Sequence, residues 1–270
     1  MMKIIEINIF LDNDSCWLLN FIKKTIPIFY KNRIKIKNIW ILPDKLSNLQ
    51  GLQIPLWYLR IFGLYITLKL LFFYIAVMIL NIYHNSRSLK KISRKYKINV
   101  ENIDSFNDQK IIRYFRKEKK IEYYNFIFTN HLVPKKLLIL KNVFFINKHA
   151  SLLPSCRGLL PFIRTKIFNL SNGVTIHLVN QKIDNGLILY QKEFNKKFSS
   201  MIDFYLYVFD LTPKLLLISI NNLKNKKFCT SKYKSSIYTL PSKKEFKKFL
   251  DCGGNIININ DFLKINKLIK

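Results

Sequence analysis

The chain has 270 residues, and 49% of them are hydrophobic, which is enough to bury a core and argues against wholesale disorder. The formal net charge of +30 ordinarily indicates a nucleic-acid or anionic-membrane partner. Alanine occurs only at positions 76 and 150, whereas lysine, asparagine and isoleucine abound, so AT-rich coding also explains much of the lysine content. The four cysteines lack Cys-x-x-Cys spacing, which argues against a disulfide framework or a zinc site. The first residues lack the pattern of a signal peptide, so we expect a cytoplasmic protein.

The chain opens with a strand–helix–strand pattern. We expect a strand over residues 3–11, a turn over 12–15 whose Asp14 or Ser15 caps a helix, and that helix from Cys16 to about Tyr30. Pro27 is expected to kink or stop the helix. Residues 34–42 predict the second strand, and no Gly-x-Gly-x-x-Gly motif supports a nicotinamide cofactor.

Residues 51–83 form an apolar helical segment that allows two interpretations. From Ile61 to Tyr83 the only charged residue is Lys69, and about 20 apolar residues suffice to cross a bilayer. A charge in the middle of a spanning helix costs roughly 2.5–3.5 kcal/mol on insertion scales, which argues against spanning. We therefore expect a helix that is buried in the protein or lies on a membrane surface.

The following residues alternate between helices and strands. We expect a basic helix ending at Tyr96, a short strand entered at 97–100, a helix from a cap at 104–108 to Lys117, a strand at 122–129 and a short helix at 135–140. This alternation predicts an α/β fold with a doubly wound, mostly parallel sheet.

A buried-strand pattern at residues 143–146 leads into the polar pair Asn147 and His149. If the extended backbone continues through them, the two side chains leave the same face at the carboxyl end of the strand, where α/β sheets place their ligands. A proline-containing loop, Ser151-Leu152-Leu153-Pro154, follows. Cys156 is either a nucleophile near His149 or, as we expect, a tolerated loop residue.

A second informative stretch covers residues 173–191. Residues 175–179 alternate like a strand, Asp184-Asn185-Gly186 supplies turn chemistry, and residues 187–190 form a further strand. His177 lies on the apolar alternating strand, so we expect a packed core residue rather than a catalyst.

The two stretches together resemble the folate-dependent formyltransferases. Methionyl-tRNA, glycinamide ribonucleotide and nucleotide-sugar formyltransferases share an Asn-x-His, a Ser-Leu-Leu-Pro loop, a Gly-Val-Thr segment and an Asp-x-Gly, and all four occur here in order between residues 126 and 191. The resemblance implies formyl transfer from formyltetrahydrofolate to a primary amine without a metal, with Asn147, His149 and Asp184 as the catalytic set.

These residue types suit that chemistry. Asn147 offers an amide N–H to the oxyanion that develops when an amine attacks the formyl carbon. His149 can accept or donate a proton near neutral pH, and Asp184 would orient the imidazole or relay the proton.

The resemblance also implies binding residues for both substrates. Folate contacts through backbone groups are expected at Phe128, Thr129, Asn130, His131 and Leu132, although a surface role is open for His131. Acceptor contacts are expected at Ser151, Leu152, Leu153, Pro154, Arg157 and Gly158. The Arg157 guanidinium would bind a phosphate or carboxylate of the acceptor, or else form a structural salt bridge.

We expect a catalytic domain over residues 1–195 and C-terminal helices with a basic tail over 196–270. The C-terminal part predicts a helix that begins at Ser199–Asp203, is interrupted at 211–213 and resumes over 214–222, then a helix capped at Ser242. It is too short for the full barrel domain of classical methionyl-tRNA formyltransferases.

Two functional classes therefore stay open. The first is a formyltransferase whose acceptor is methionyl-tRNA or, alternatively, a nucleotide-linked amino sugar. The second is a catalytically decayed, basic binding protein that associates with membranes through residues 51–83.

Overall fold

The computed structural model describes residues 4–13, 18–83, 89–117 and 122–265, and most of this length alternates between strands and helices. In chain order the elements are β1 (Ile5–Asp12), α1 (Leu18–Lys31), β2 (Ile34–Leu42), β3 (Lys45–Leu46), β4 (Leu49–Gln50), α2 (Gln53–Tyr83), α3 (Leu89–Tyr96), β5 (Asn99–Asn102), α4 (Gln109–Lys117), β6 (Tyr123–Phe128), α5 (Lys135–Leu138), β7 (Val143–His149), β8 (Arg157–Gly158), α6 (Pro161–Ile167), β9 (Gly173–Leu178), β10 (Ile188–Glu193), α7 (Met201–Lys224), β11 (Ile237–Tyr238), α8 (Lys243–Asp251) and α9 (Ile259–Leu263).

Seven strands form one sheet in the order β10-β9-β7-β6-β1-β2-β5. The strands from β7 to β5 pair in parallel, whereas β9 and β10 are added antiparallel at one edge. Strand β6 is buried along its whole length, because helices cover the sheet. The α/β fold with a doubly wound, mostly parallel sheet is confirmed.

Two hydrophobic cores lie against the sheet, and the larger one includes the C-terminal helices. Phe204 of α7 and Phe249 of α8 belong to the same buried cluster as Ile9 and Phe126 of the central strands. The described part of residues 196–265 consists of α7, α8, α9 and the two-residue β11, so it contains helices rather than a barrel. The C-terminal segment is therefore part of the fold that holds the sheet.

Two helices continue through prolines that the sequence suggested would interrupt or stop them. α1 runs past Pro27 to Lys31, because Ile26 and Phe29 are fully buried on either side of the proline. α7 runs past Pro213 without a break, and the Thr212 hydroxyl donates to the Val208 carbonyl at 2.7 Å, one turn earlier. Packing thus outweighs the local cost of each proline. The predicted cap at Asp14 or Ser15 and the predicted first residue Cys16 lie outside the described residues.

The interior of the sheet contains a ladder of asparagine side chains across four neighbouring strands. The Asn8 amide donates to Oδ1 of Asn125 at 2.8 Å, and its own Oδ1 accepts from the Asn38 amide at 2.8 Å. Asn99 continues the ladder to Asn38 at 3.1 Å, and the Tyr114 hydroxyl donates to Asn8 at 3.1 Å. Because buried amides need partners, this ladder favours a single strand register.

We expect Asn8→Ala to lower the free energy of unfolding by about 2–4 kcal/mol, because it removes the partners of the buried amides of Asn38 and Asn125. Urea unfolding followed by circular dichroism measures the change. Asn32→Ala removes an exposed amide that donates to the Ile28 carbonyl, and should change stability by less than about 0.5 kcal/mol. Equal stability of both variants would contradict the role of the ladder.

Candidate active site

β7 carries Asn147 and His149 to the carboxyl end of the sheet. The strand extends through both residues, so their side chains lie on one face, as expected from the spacing. Asn147 is paired in register with His177 of the neighbouring β9. Three polar side chains of two strands therefore meet at the edge where α/β sheets bind ligands.

Asp184, in the turn between β9 and β10, joins this group. Its Oδ2 lies 3.3 Å from Nδ1 of His149, and its Oδ1 accepts from the Asn147 amide at 3.4 Å. The Gly158 N–H donates to Oδ2 at 2.9 Å. Of the predicted residues, Asp184 thus lies within contact distance of both Asn147 and His149.

His177 is a site residue that the sequence reasoning missed. Its side chain is only 2% exposed, as expected for a core residue, but its Nε2 lies 3.5 Å from Oδ1 of Asp184. The pairing of His177 with Asn147 was the missing information, because it depends on which strands become neighbours. The carboxylate of Asp184 therefore faces two imidazoles.

The hydrogen bonds of the two rings define where an additional proton would reside. Nε2 of His149 lies 2.8 Å from the Cys156 carbonyl, and Nδ1 of His177 lies 2.8 Å from the Leu178 carbonyl. A carbonyl only accepts, so these two ring nitrogens carry the protons in both bonds. The remaining nitrogen of each ring faces Asp184, so the cluster can hold one further proton between a ring and the carboxylate.

Burial and charge act in opposite directions on the two titrating groups. Burial lowers the pKa of His149, and the nearby Asp184 carboxylate partly offsets that effect. Burial by itself would raise the pKa of Asp184, but the interactions with His149 and His177 and the Gly158 N–H bring this pKa below its ordinary value. At pH 7 Asp184 is therefore ionised and the imidazole of His149 is uncharged, so His149 can accept a proton.

Two glycines allow the surrounding loops to approach this closely. Gly158 has φ +94°, and a Cβ there would lie 2.0 Å from the Tyr238 carbonyl oxygen of β11. A Cβ on Gly186, two residues after Asp184, would lie 1.6 Å from the Leu178 carbonyl oxygen. The glycine of the Asp-x-Gly motif thus allows the turn to fold back on β9 and present Asp184 to the rings.

The Ser-Leu-Leu-Pro loop is fastened to β9 and β10. The Ser151 hydroxyl donates to the Ser155 carbonyl at 2.7 Å, and the Thr175 hydroxyl donates to the Ser151 carbonyl at 2.7 Å. Leu152 and Leu153 are each 2% exposed, so they support the loop from inside. The Pro154 carbonyl accepts from the Ser236 N–H at 3.1 Å, which joins the loop to the segment before β11.

Arg157 connects the Asp184 turn to the same segment. Its guanidinium donates to Oδ1 of Asn185 at 2.8 Å and to the Ser235 hydroxyl at 3.1 Å. These partners are neutral, so the contacts differ from the structural salt bridge that the sequence also allowed. Arg157 lies beside the cluster on the loop that follows His149.

The loop after β6 is held at the same edge of the sheet by Asp12, the last residue of β1. The Thr129 hydroxyl donates to Oδ1 of Asp12, and the Asn130 N–H donates to Oδ2 at 3.2 Å. Phe128 is buried, whereas Leu132 is 73% exposed. Nε2 of His131 lies 2.9 Å from the Pro43 carbonyl, so this ring braces the loop against the end of β2.

Other candidate chemistry in the region is not supported. Burial raises the pKa of the Cys156 thiol, which disfavours the thiolate that a nucleophile needs, and the residue instead contributes its carbonyl to His149. No group of three or more metal-binding side chains occurs among residues 4–13, 18–83, 89–117 and 122–265.

The cluster of Asn147, His149 and Asp184 can position a substrate amide or carbonyl near Asn147 and exchange a proton through His149.

Comparison with known proteins shows that part of this chain is similar to formyl transferases. A family model described as formyl transferase matches residues 90–197. The bifunctional polymyxin resistance protein ArnA of Wigglesworthia glossinidia brevipalpis is 29% identical over 182 residues, which cover 64% of this chain and 27% of that protein. The methionyl-tRNA formyltransferase of the same organism is 30% identical over 105 residues, which cover 38% of this chain and 33% of that protein. The chain thus spans about a third or less of the length of these curated relatives.

Solved structures show the same fold. A sugar N-formyltransferase from Shewanella superposes with a TM-score of 0.55 at 17% identity, covering 93% of this chain and 88% of that one. An N-formyltransferase from Helicobacter canadensis, in complex with folinic acid and dTDP-3-aminofucose, superposes with a TM-score of 0.51 at 14% identity, covering 93% and 80%.

Proposed function

We propose that the chain is a formyl transferase, as the family model that matches residues 90–197 indicates, and that it transfers the formyl group of formyltetrahydrofolate to a primary amine. The observation that carries this proposal is the convergence of Asn147, His149 and Asp184 at the carboxyl edge of the sheet. An amide donor, an imidazole and an ionised carboxylate are the groups that an acyl-type transfer to nitrogen requires. A cytoplasmic location, where formyltetrahydrofolate is available, goes with this proposal.

We assign the Asn147 amide to the oxygen of the formyl group. Its N–H now points to Asp184 at 3.4 Å, which is long for such a bond, so the amide can turn to a developing oxyanion at little cost. A hydrogen bond from Asn147 that forms only as the oxyanion develops stabilises the transition state more than the ground state.

We assign to His149 the removal of the proton from the attacking amine and its return to the folate nitrogen, which leaves as its bond to the formyl carbon breaks. Because Nε2 is committed to the Cys156 carbonyl, the proton is taken up at Nδ1, next to the carboxylate of Asp184 at 3.3 Å. The carboxylate stabilises the resulting imidazolium, and the buried His177 behind it limits how Asp184 can move.

This assignment predicts the pH dependence of the reaction. The neutral form of His149 is the active one, and burial lowers its pKa from the ordinary 6.5. At saturating acceptor, kcat should therefore fall tenfold per pH unit only below that lowered pKa, in the acid range. Asp184 raises the pKa of His149, so the residual activity of Asp184→Asn should decline only at a still lower pH than wild type. Initial rates between pH 5 and 9 give the pH profiles of wild type and of Asp184→Asn. If the decline at acid pH occurs at the same pH in both, the predicted effect of Asp184 on the pKa of His149 is contradicted.

We assign the folate pterin to the loop over residues 128–132. The Asn130 and His131 N–H groups already donate to Asp12 and to the Thr129 hydroxyl, so a pterin would meet the carbonyl groups of this loop and the exposed side chain of Leu132. An exposed leucine beside backbone acceptors fits a flat, amino-bearing ring. Residues 151–154, 157 and 158 would then border the acceptor on the other side of His149.

The first candidate acceptor is methionyl-tRNA. Over 105 residues this chain is 30% identical to a protein named methionyl-tRNA formyltransferase, and the net charge of +30 suits a nucleic acid. Arg157 on the loop after His149 would contact a phosphate if it exchanged its bonds to Asn185 and Ser235.

A nucleotide-linked amino sugar is the second candidate. Residues 201–265 fold as helices against the sheet, and a smaller acceptor needs no additional domain for its binding. The structural similarity to sugar N-formyltransferases extends through this C-terminal part, although at 17% identity it concerns the fold alone.

Formylation assays with each acceptor distinguish the two candidates. Under the first, methionyl-tRNA gives a kcat/KM at least a hundredfold higher than any nucleotide-linked amino sugar, and the second predicts the reverse order. Both assays are run at about 150 mM salt, because a protein of this charge binds tRNA nonspecifically at low salt. Turnover with neither acceptor at any pH would count against the proposed function.

A further inference from the structure

Helix α2 exposes more apolar surface than a domain of this size ordinarily leaves in water. It is 31 residues long and is kinked at Gly63, whose φ of 80° and ψ of 169° are not helical. Its most apolar stretch of 18 residues has a mean hydropathy of 2.1 and is only 11% buried. Arg60 and Lys69 are its charged residues. Its length and composition are those of a helix that could cross a membrane, and core helices of soluble proteins share them.

One face of α2 is fixed to the protein. Phe62 packs on Phe246 of α8 with ring centroids 4.8 Å apart, and Phe73 packs on Phe262 of α9 at 5.6 Å. Val77, one turn after Phe73, is fully buried. Phe62 holds the part of α2 before the kink against α8, and Phe73 and Val77 hold the part after it. Neither part can enter a bilayer end-on without leaving the core that α2 shares with α8 and α9.

The opposite face of α2 carries a continuous apolar stripe. The large side chains that are 38–79% exposed between residues 64 and 83 are Leu64, Tyr65, Leu68, Leu71, Phe72, Tyr74, Ile75, Met78, Ile79, Ile82 and Tyr83. Together they expose on the order of 1,000 Å², whereas the largest patch on a typical soluble monomer is about 300–600 Å². We call these residues the α2 stripe.

Basic residues precede and follow the α2 stripe along the chain, and Lys69 lies within its range, with Nζ 4.2 Å from the centre of the Tyr65 ring. Near its beginning, Arg60 lines a shallow pocket together with Lys243 of α8. After its end, α3 presents the exposed cations Lys91, Arg94 and Lys95. The residues Gln53–Tyr83 include no aspartate or glutamate that would repel an anionic surface.

We propose that α2 lies in the plane of an anionic lipid bilayer, with the α2 stripe among the acyl chains and the flanking cations at the phosphate level. Apolar area gives such helices their affinity and basic residues give the preference for anionic lipid. Because the other face of α2 stays packed on α8 and α9, only the α2 stripe contacts lipid. The protein would therefore bind the membrane surface and not span the bilayer.

Flotation of the full-length chain with lipid vesicles tests this proposal. Vesicles of phosphatidylcholine with 30% phosphatidylglycerol should carry at least tenfold more protein than pure phosphatidylcholine vesicles, and alkaline carbonate should release it. Phe72→Glu combined with Ile79→Glu should lower the bound fraction at least tenfold, because both side chains belong to the α2 stripe.

A matched control changes the charge equally elsewhere. Ile139→Glu combined with Phe228→Glu alters two side chains that are 69% and 44% exposed outside α2, and it should bind like wild type. Thermal unfolding followed by circular dichroism verifies that both variants fold. Equal binding of both variants, retention after alkaline carbonate, or a lipid-free dimer that the Phe72→Glu/Ile79→Glu variant abolishes would overturn the proposal.

Discussion

Replacing Asp184 with asparagine is expected to lower kcat by about 10³–10⁴-fold, as when the carboxylate beside a catalytic histidine is lost in other transfer enzymes. The asparagine keeps an oxygen that can accept from the Gly158 N–H, so the turn should hold. It loses the negative charge that faces His149 at 3.3 Å and His177 at 3.5 Å, so the imidazolium is no longer stabilised. Single-turnover rates with labelled formyltetrahydrofolate measure the loss.

Folate binding separates a catalytic effect from a structural one. The dissociation constant of a folate analogue should change less than about threefold in Asp184→Asn, because the loop at residues 128–132 is fastened by Asp12 instead. Asp210→Asn is the control, since this exposed carboxylate forms an ion pair with Lys24 at 3.4 Å on the surface. Turnover of Asp184→Asn at the rate of an active wild type would refute the role assigned to the carboxylate. A wild type that binds folate without any turnover would instead favour a decayed binding protein.

Asn147→Ala is expected to lower kcat by about 10²–10³-fold with a smaller change in KM, because a donor to an oxyanion acts mainly in the transition state. The same substitution removes the contact with Asp184 at 3.4 Å, which is too long to contribute much to stability. Steady-state kinetics with the preferred acceptor measure both constants, and Asn32→Ala on the surface serves as the control. A large rise in KM at constant kcat would instead indicate that Asn147 binds the ground state.

Much of the fold was predictable because its strands carry strong local signals. The apolar runs at residues 34–42 and 122–129 became β2 and β6 within one residue at each end. The spacing of Asn147 and His149 also placed both side chains on one face, since the strand period is two residues.

Features that depend on distant parts of the chain were not predictable in this way. The same period of two correctly placed His177 in the interior, but only the pairing of β9 with β7 turns its ring toward Asp184. Pro27 and Pro213 were expected to interrupt helices, and the cores on both sides of each proline keep α1 and α7 continuous.

The apolar segment shows the same limitation. Hydropathy alone cannot tell which face of α2 is buried, because Phe246 and Phe262, which cover that face, lie far along the chain. The fixed face and the exposed face became distinguishable only in the folded molecule.

Transfer of a labelled formyl group from formyltetrahydrofolate to an amine acceptor tests the central claim most directly. Wild type should move label to methionyl-tRNA or to a nucleotide-linked amino sugar over many turnovers, and Asp184→Asn and Asn147→Ala should do so at least a hundredfold more slowly. Wild-type protein that binds a folate analogue yet moves no label to either acceptor, or variants that move it as fast as wild type, would contradict the assignment of Asn147, His149 and Asp184 to the reaction.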